Sequence, residues 1–404
     1  MHDIEIAVVG EGLAGSIAAL ALARAGRKVA LVAPNQPRRD ERTTALMDQS
    51  IRFVDSLGIW DKIAPASAAL STMQILDGTS RLFRAPPAQF RAADVGLTAF
   101  GYNIPNRALL SVLSEAISGE ANISRIEGSV ERLDLSGDRP NLILATGETL
   151  TADFVVGADG RNSRIREQAG IGLRRWSYPQ TAVVLNFSHS QPHGNVSTEF
   201  HTETGPATQV PLPGMRSSLV WVVSPEEASR LLSLDTAGLS RAVETRLQSM
   251  LGKVTVEDGP ESWPLSSLMA ERFGKGRVAL VGEAAHAFPP IGAQGLNLSL
   301  RDVMELADLL QTSGGQPIAA DAGDRFNRKR RPDIMTRTAG VDLLNRSLLS
   351  DFLPVQVARA AGLHLLTSVG PLRNILMREG IEPGRSLRDL IGVLRHPFDR
   401  QKTG

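Results

Sequence analysis

Apolar residues concentrate in three short runs, and each run leads into a turn that contains glycine. The runs cover residues 4–9, 154–158 and 277–281, and they are followed by Gly10, by the pair Asp159-Gly160 and by Gly282. Short apolar runs bounded by turn residues are typical of buried strands. The pattern therefore predicts three buried strands that deliver their C-terminal ends to glycine-containing turns.

The first run opens a strand-helix-strand unit. A helix is predicted over residues 16–25 and a second strand over residues 28–32, with Gly10, Gly12 and Gly15 between the first strand and the helix. This is the dinucleotide fingerprint: the first glycine permits a tight turn, the second admits a pyrophosphate, and the third lets the helix pack closely on the strand. The unit predicts a nucleotide-containing cofactor.

One part of that fingerprint is missing. An acidic residue normally follows the second strand and binds the ribose hydroxyls, but this chain has Ala33-Pro34 there. Asp40 and Glu41 are candidates to replace it, and the alternative is that both are solvated loop carboxylates. We therefore expect unusual ribose recognition.

The third run leads into a segment suited to a flat, electron-rich ligand. The carboxylate of Glu283 can reach ribityl hydroxyls, and Gly292 and Gly295 let the backbone approach a ring closely after the stiff Pro290. A helix predicted to open near Leu296 would point its positive end at the ligand and stabilise a reduced flavin. The segment predicts a flavin site, and the alternative is an ordinary strand, turn and amphipathic helix.

Composition narrows the class of protein. The chain has 404 residues, 42% of them hydrophobic and 22% charged, with a net charge of +1 and no cysteine. This length suggests two or three lobes, and the charge gives no field suited to nucleic acid. Without cysteine there is no disulfide, iron-sulfur cluster or cysteinyl-flavin bond, so a flavin would be held noncovalently. No apolar run is long enough to span a membrane and no signal peptide is evident, which predicts a cytoplasmic protein.

The fold class predicted is α/β: a Rossmann-like FAD-binding domain, an inserted substrate domain with an antiparallel sheet, and C-terminal helices. The predicted FAD-binding domain covers 1–70, 101–175 and 265–331, the substrate domain 71–100 and 176–264, and the helical region 332–404. Alternating β-branched runs at 181–187 and 219–223 indicate the sheet. Helices are predicted over 303–310, 324–331, 334–350 and 355–368.

Three motifs in this order resemble the signatures of single-component flavoprotein aromatic hydroxylases. They are the GxGxxG unit, the DGxxSxxR segment at 159–166, and Gly282-Glu283 with PPxGAQGLN at 289–297. The sequence is most similar to the ubiquinone-biosynthesis hydroxylases within that class, whose fold is that of para-hydroxybenzoate hydroxylase, and the resemblance covers nearly the whole chain.

The resemblance implies which residues hold FAD. Gly10, Gly12 and Gly15 would meet the pyrophosphate, Arg42 and Arg107 would lie beside the flavin, Val130 would touch adenine through its backbone, and Asp159 would order FAD. The implied cofactor-binding set is completed by Leu13, Ala14, Gly282, Glu283, Pro290, Gly292, Ala293, Gln294, Gly295, Leu296 and Asn297. Pro290, Gly292 and His286 are candidates for the environment of the reacting flavin, while no catalytic side chain or general base is identified. An amphipathic helix with Leu46, Phe53 and Leu57 is expected directly after Arg42.

Two departures from the family pattern bear on function. The family has Gly-Asp where this chain has Gly282-Glu283, which displaces the carboxylate and leaves the ribityl contact open. By alignment with the 4-hydroxybenzoate type, Leu212 replaces a carboxylate-binding arginine, and Thr208, Val210 and Val220 replace other pocket residues. Such a pocket fits a neutral phenol with an apolar tail; the alternative is that Leu212 is core.

The histidines and the basic cluster near the C-terminus are expected to have structural rather than chemical roles. His286 is expected to support its turn rather than move protons, and His189, His193 and His201 lack metal-ligand spacing, with His201 the nearest to substrate. No metal site is predicted. The basic cluster Arg325, Arg328, Lys329, Arg330 and Arg331 is expected to be a solvated helix face, with anionic lipid or a partner as the alternative.

The resemblance implies an FAD-dependent monooxygenase that hydroxylates an electron-rich ring, such as a polyprenyl phenol of ubiquinone biosynthesis, through a flavin C4a-hydroperoxide. NAD(P)H would be the reductant and O2 the co-substrate. Implied partners are other quinone-biosynthesis proteins, the inner-membrane surface and a second copy of the chain, and no nucleic acid. Two alternatives remain open: a flavin-dependent prenyl-chain reductase, and a non-catalytic FAD-binding component of a biosynthetic complex.

Overall fold

A computed structural model describes residues 4–35, 40–79, 87–202, 204–257, 259–289, 294–312 and 315–349. Its helices are α1 Leu13–Arg24, α2 Asp48–Ser56, α3 Trp60–Ile63, α4 Asn106–Ser118, α5 Arg164–Gln168, α6 Pro225–Leu232, α7 Thr236–Arg246, α8 Gln294–Leu310 and α9 Ala322–Leu349. Short 3-10 helices cover Ala64–Ala66, Ala92–Val95 and Gly282–Ala284.

The strands are numbered in chain order. They are β1 Ile6–Val9, β2 Val29–Ala33, β3 Thr43–Met47, β4 Ala68–Ala69, β5 Thr72–Asp77, β6 Ala88–Arg91, β7 Gly101–Pro105, β8 Ile123–Glu127, β9 Val130–Asp134, β10 Asn141–Leu144 and β11 Thr149–Thr151. The later ones are β12 Phe154–Gly157, β13 Leu173–His189, β14 Val196–Thr202, β15 Gly205–Leu212, β16 Arg216–Val223, β17 Val254–Val256, β18 Glu261–Ala270, β19 Gly274–Lys275, β20 Val278–Leu280 and β21 His286–Ala287.

The three predicted buried strands are neighbours in one sheet. Its order is β19-β20-β12-β1-β2-β8, and its strands are parallel except for the edge pair β19 and β20. Val9 pairs with both Gly157 and Val32, so the C-terminal ends of β1, β12 and β2 lie at the same edge. Helices α1 and α8 contribute buried residues to the core around this sheet. The predicted Rossmann-like architecture is confirmed, because apolar runs without alternation are what a doubly covered parallel sheet requires.

A second sheet of nine strands carries the predicted substrate lobe. Its order is β21-β18-β13-β16-β15-β14-β5-β6, with β17 paired to β13. One face packs against α6 and α7 through residues such as Phe187, Leu219 and Leu239. The opposite face lies against β3 and β7, because the hydroxyl oxygens of Thr43 and Ser218 are 3.0 Å apart. The sheet is antiparallel as predicted, except that β5 and β14 run parallel.

Local structure after Arg42 differs from the expectation. Leu46 was expected to begin an amphipathic helix, but it lies in β3, and α2 begins only at Asp48. Strand β3 forms because it pairs with β7, with Leu46 opposite Tyr102. The apolar spacing of this segment could not reveal a partner so far away in the chain.

The helices after the third glycine turn are longer than predicted. Helix α8 begins at Gln294, before the predicted start near Leu296, and it continues through 303–310 without a break. Helix α9 continues through Pro332, where the sequence predicted two helices. The predicted helix 355–368 and most of the region 332–404 lie outside the described residues. The domain boundaries remain a prediction.

The described part of the chain contains no helix with the length and apolar character needed to cross a membrane.

Candidate functional site

The glycine-rich loop between β1 and α1 is built for close approach. Gly10 has φ of +108°, and a Cβ added there would collide with the carbonyl oxygen of Ala158. A Cβ at Gly15 would collide with the carbonyl oxygen of Gly10. The N-cap of α1 is Gly12, and no side chain of the described residues caps the helix. The first N–H groups of α1, from Leu13 onward, are therefore available to a phosphate.

The second motif places an unpaired carboxylate oxygen next to this loop. The amide of Ile165 donates to Asp159 Oδ2 at 3.1 Å. Asp159 Oδ1 is buried and has no hydrogen-bond partner among the described residues. Gly10 packs against the backbone of Ala158 and Asp159. A buried oxygen without a donor is costly unless a ligand hydroxyl or amide completes it, so Asp159 fits a bound cofactor.

Arg166 joins the second motif to the third. The helix α5 is capped by Ser163, whose Oγ accepts the amide of Arg166 at 3.0 Å. Arg166 is buried, and it donates to the carbonyl oxygens of Ala284 at 2.8 Å and Arg161 at 3.1 Å. Burial lowers the pKa of Arg166 from its ordinary value. The arginine of the DGxxSxxR motif therefore has a positioning role between two of the three segments.

The third segment closes on the first. Gly282 has φ of +61°, and a Cβ there would lie 2.9 Å from the Cβ of Ala14 in α1. The amide of Gly282 donates to Asp302 Oδ2 at 3.2 Å, and His286 Nε2 lies 2.6 Å from the same oxygen. The imidazole of His286 stacks on Phe288 with an interplanar angle of 13°. His286 is thus packed behind the segment, as a supporting residue would be.

Asp302 is the centre of a buried ionic cluster that the sequence did not predict. Arg330 Nε on α9 donates to Asp302 Oδ1 at 2.9 Å, and both side chains are buried. Burial alone would raise the pKa of Asp302, but the charges of His286 and Arg330 lower it below its ordinary value. The basic cluster at 325–331 is therefore not a uniformly solvated face: Arg330 points inward and holds Asp302, and Arg325 pairs with Asp321 at 3.2 Å.

Arg42 lies near Glu283 of the third segment and Trp263 of β18. Its guanidinium donates to both oxygens of Asp40, at 2.8 and 2.7 Å, and lies 5.7 Å from the ring centroid of Trp263. The hydrogen bonds to Asp40 raise the pKa of Arg42 against the effect of burial, and the charges of Glu283 and Glu261 add to the rise. Glu283, the longer acid in the family's aspartate position, therefore lies in the field of Arg42.

The two acids considered for ribose recognition have other contacts. Although burial opposes it, hydrogen bonds from Arg42 and Asn106 lower the pKa of Asp40 below its ordinary value. Glu41 Oε2 is 3.7 Å from Arg107 Nη1, and the Glu41 carbonyl accepts from Asn186 of the substrate sheet. Arg107 is exposed at the start of α4. Both acids contact the region between α4 and β13.

The start of α8 is attached to β3. Asn297 Oδ1 accepts the amide of Met47 at 2.9 Å, and its Nδ2 donates to the carbonyl of Ala45 at 2.7 Å. Asn297 thus positions α8. A Cβ at Gly295 would meet no atom of the described residues within 4 Å, and Leu296 packs at the edge of the core. The predicted residues Pro290, Gly292 and Ala293 lie outside the described residues, as does the side chain of Gln294.

The residue predicted to touch adenine through its backbone is Val130. It begins β9 and is buried, and its carbonyl accepts Arg164 Nη1 at 3.4 Å.

Among the residues whose structure is described, no group of three or more metal-ligating side chains could hold an ion. The pieces that the geometry brings together are therefore those of a nucleotide-cofactor cradle.

The predicted substrate residues share the sheet face that looks toward the cradle. Thr208 pairs with Val220, Val210 with Ser218, and Leu212 with Arg216, and paired residues project to the same side. Asn103 of β7 donates to the carbonyl of Pro211 at 2.9 Å, which fixes β15 against β7. Leu212 is buried at the end of its strand.

Thr208 and His201, both predicted near the substrate, form a polar cluster on that face with Glu199, which the sequence did not single out. Glu199 of β14 pairs across the strands with Thr208, and Thr208 Oγ1 donates to Glu199 Oε2 at 3.3 Å. His201 Nε2 lies 2.8 Å from Glu199 Oε1, and both side chains are largely buried. The sequence contained the alternation that places 199 and 201 on one side of a strand, but only the register with β15 shows that this side faces the pocket residues.

Comparison with known proteins agrees with this geometry. Residues 3–332 match the family described as FAD binding domain. The chain is 34% identical over 403 residues to ubiquinone hydroxylase UbiL of Rhodospirillum rubrum, covering 95% of this chain and 92% of the relative. It is 30% identical over 384 residues to 3-demethoxyubiquinol 3-hydroxylase of Escherichia coli K12, covering 91% and 96%. The fold is similar to that of p-nitrophenol 4-monooxygenase PnpA from Pseudomonas putida DLL-E4, with a TM-score of 0.77, 21% identity and coverage of 95% and 100%.

Proposed function

The chain belongs to the FAD-binding family that includes the ubiquinone hydroxylases, and from this premise we propose that it hydroxylates a neutral, electron-rich phenol carrying an apolar tail. Two of the relatives named above are called a ubiquinone hydroxylase and a 3-demethoxyubiquinol 3-hydroxylase, and the same substrate class fits this chain. The observation that carries the proposal is the sheet face toward the cofactor cradle, on which Val210 and Val220 are aliphatic and Arg216 is already paired with Glu257.

The cofactor is FAD, and the chain has the groups to hold it. The loop from Gly10 to Gly15 and the free N–H groups of α1 would bind the pyrophosphate, and Asp159 Oδ1 would accept from the cofactor. When bound and reduced by NAD(P)H, FAD would supply the activation of O2 from which one oxygen atom reaches the ring. Arg42, held by Asp40, would place a fixed positive charge at the flavin edge.

The pocket face selects against a carboxylate-bearing substrate. Val210 and Val220 present aliphatic side chains, and Leu212 stands at the end of their strand pair. Arg216, directly opposite Leu212, is the cation of this row, but its Nε and Nη2 both donate to Glu257 at 2.6 Å. A guanidinium already satisfied by a bidentate carboxylate gains little from a second one. A neutral ring with a hydrocarbon substituent fits this surface best.

We infer that Glu199 is the acceptor for the phenol hydroxyl. Its carboxylate lies on the same face as Val220 and is oriented by Thr208 and His201. Transfer of the phenol proton toward this carboxylate would enrich the ring in electrons as oxygen is transferred. The imidazole of His201 would then share the proton through its 2.8 Å contact with Glu199.

An apolar tail confines such a substrate to a membrane or to a protein that shields it. We therefore infer that the enzyme meets its substrate at the membrane surface or together with other quinone-biosynthesis proteins.

The test is substrate-dependent oxygen uptake by the purified, FAD-loaded full chain. A demethoxyubiquinol analogue with an apolar tail of about ten carbons, each worth about 0.8 kcal/mol when buried, should stimulate NAD(P)H-dependent oxygen uptake and yield a hydroxylated ring. The matched control is 4-hydroxybenzoate, which should stimulate neither. Preference for the carboxylate substrate, or reduction of a tail double bond without oxygen uptake, would overturn the proposal.

A further inference from the structure

The strand that normally supplies the ribose-binding acid of a dinucleotide fold lacks one here. Strand β2 ends at Ala33, whose side chain is a methyl group, and Pro34 and Asn35 follow. In folds of this kind an acidic side chain at this strand end accepts hydrogen bonds from the adenosine ribose hydroxyls. Since the rest of the FAD cradle is present, some other group must meet the ribose.

The neighbouring strand brings a carboxylate to the same place. Strand β8 pairs with β2 in parallel, and its last residue, Glu127, is the partner of Ala33 in the register. The amide of Gly128 donates to the Ala33 carbonyl at 3.0 Å, so the two strands remain paired up to their ends. Partners in adjacent strands project to the same face of a sheet. The Glu127 side chain therefore leaves the sheet at the edge where β2 would have offered its acid.

The contacts of Glu127 show that its carboxylate reaches the residues that follow β2. Asn35 Nδ2 donates to Glu127 Oε2 at 3.3 Å, although Asn35 lies beyond the end of β2. Glu127 is exposed, and no ion pair is formed by it within the described residues. A carboxylate that has one amide donor and is otherwise open to solvent keeps acceptor capacity for two ligand hydroxyls.

The same face of β8 also contacts the glycine-rich loop. Arg125, two residues before Glu127, lies 2.6 Å from Glu11 Oε1, and Glu11 stands between Gly10 and Gly12. This pair fixes the loop beside β8 and neutralises Glu11. The other acids considered, Asp40 and Glu41, contact the region between α4 and β13 instead.

We propose that Glu127, supplied by β8, binds the adenosine ribose hydroxyls of FAD in place of the acid that β2 lacks. Asn35 orients the carboxylate, and the Arg125–Glu11 pair holds the glycine-rich loop in register with it. The ribose-binding acid therefore lies on β8, the neighbour of β2 in the sheet.

The proposal is tested by FAD affinity rather than by turnover. Full-length apoprotein is titrated with FAD and with an FAD analogue whose adenosine ribose lacks the 2′-hydroxyl, and binding is followed by flavin fluorescence. The wild-type chain should prefer FAD by about tenfold, as expected when a hydrogen bond to a charged acceptor is lost. Glu127→Gln should weaken FAD binding by about tenfold and should bind the two flavins about equally.

The matched control is Glu148→Gln, an exposed carboxylate between β10 and β11, which should leave both affinities unchanged. In the Glu127→Gln background, Ala33→Glu should restore the preference for FAD, because it returns the acid to the end of β2. A Glu127→Gln protein that retains the wild-type preference would overturn the proposal. Because both flavins must bind for the ratio to be measured, this result is distinct from a failure to bind FAD at all.

Discussion

Asp302 and Arg330 form a buried ion pair, 2.9 Å apart, that joins α8 to α9 directly behind the Gly282 turn. Asp302 also accepts from the Gly282 amide and contacts His286, so one carboxylate serves two helices and the third cofactor segment. Arg330 in turn contacts Asp333 at 2.7 Å, which Arg337 also binds at 2.8 Å. Asp302 and Arg330 thus connect the Gly282 turn to Asp333, at the start of the predicted C-terminal helical region.

Loss of one partner of this pair should be strongly destabilising. Arg330→Gln leaves the Asp302 carboxylate buried with less compensation, and breaking a buried pair in this way typically costs about 3–5 kcal/mol. The measurement is the free energy of unfolding in urea with FAD bound. The control is Arg325→Gln, which removes an exposed pair with Asp321 and should cost less than about 1 kcal/mol. Equal losses in the free energy of unfolding for Arg330→Gln and Arg325→Gln would contradict the assignment of Arg330 and Asp302 as a stabilising buried pair.

The same carboxylate should make stability depend on acid pH. Because the folded-state pKa of Asp302 lies below its ordinary value, the charged form stabilises the fold above that value, about 3.9, and this stabilisation is lost as the pH falls through the lower folded pKa. The thermal midpoint of the wild type should therefore fall more steeply between pH about 5 and pH about 3 than that of Asp302→Asn. Asp321→Asn should follow the wild type, and parallel curves for all three proteins would contradict the prediction.

Substrate charge selection should depend on Glu257. In Glu257→Gln the Arg216 guanidinium loses its bidentate partner on the pocket face and becomes available to a ligand. We expect affinity for 4-hydroxybenzoate to rise by about tenfold, since a charge-assisted pair is gained. Binding is measured by the change in flavin absorbance. The double variant Arg216→Gln with Glu257→Gln should bind 4-hydroxybenzoate no more tightly than the wild type. An increased affinity in the double variant would show that Arg216 is not the group that binds the carboxylate.

Glu199 should affect oxygen transfer and leave flavin reduction unchanged. Glu199→Gln removes the acceptor that Thr208 and His201 orient, so hydroxylation should slow by about a hundredfold while NAD(P)H still reduces the flavin. Rapid-mixing absorbance separates the two steps. Glu226→Gln, an exposed residue in α6, should change neither. A variant that loses reduction and hydroxylation equally would point to a structural role instead.

Much of the cofactor cradle was readable from the sequence because its signals are local. Gly10, Asp159 and Gly282 each follow a continuous apolar run, and such runs are unambiguous when the strands are buried on both faces. The turn residues then mark the strand ends. The parallel order of these strands follows from the strand-helix-strand unit.

The features that the sequence did not reveal depend on contacts between distant residues. Leu46 has helical spacing with later apolar residues, yet pairing with β7 makes it a strand residue. Pro332 predicts a helix end, but α9 continues through it, where Arg330 and Arg337 both bind Asp333. Glu199 is one of many strand acids until the register places it beside Thr208.

The central claim is that this chain inserts an oxygen atom from O2 into a tailed phenol, and the most direct measurement is turnover under 18O2 followed by mass spectrometry of the product. We expect one 18O atom, as a new hydroxyl oxygen on the ring of a demethoxyubiquinol analogue, with the tail unchanged. A product without label, a reduced tail, or release of all the consumed oxygen as hydrogen peroxide would contradict it.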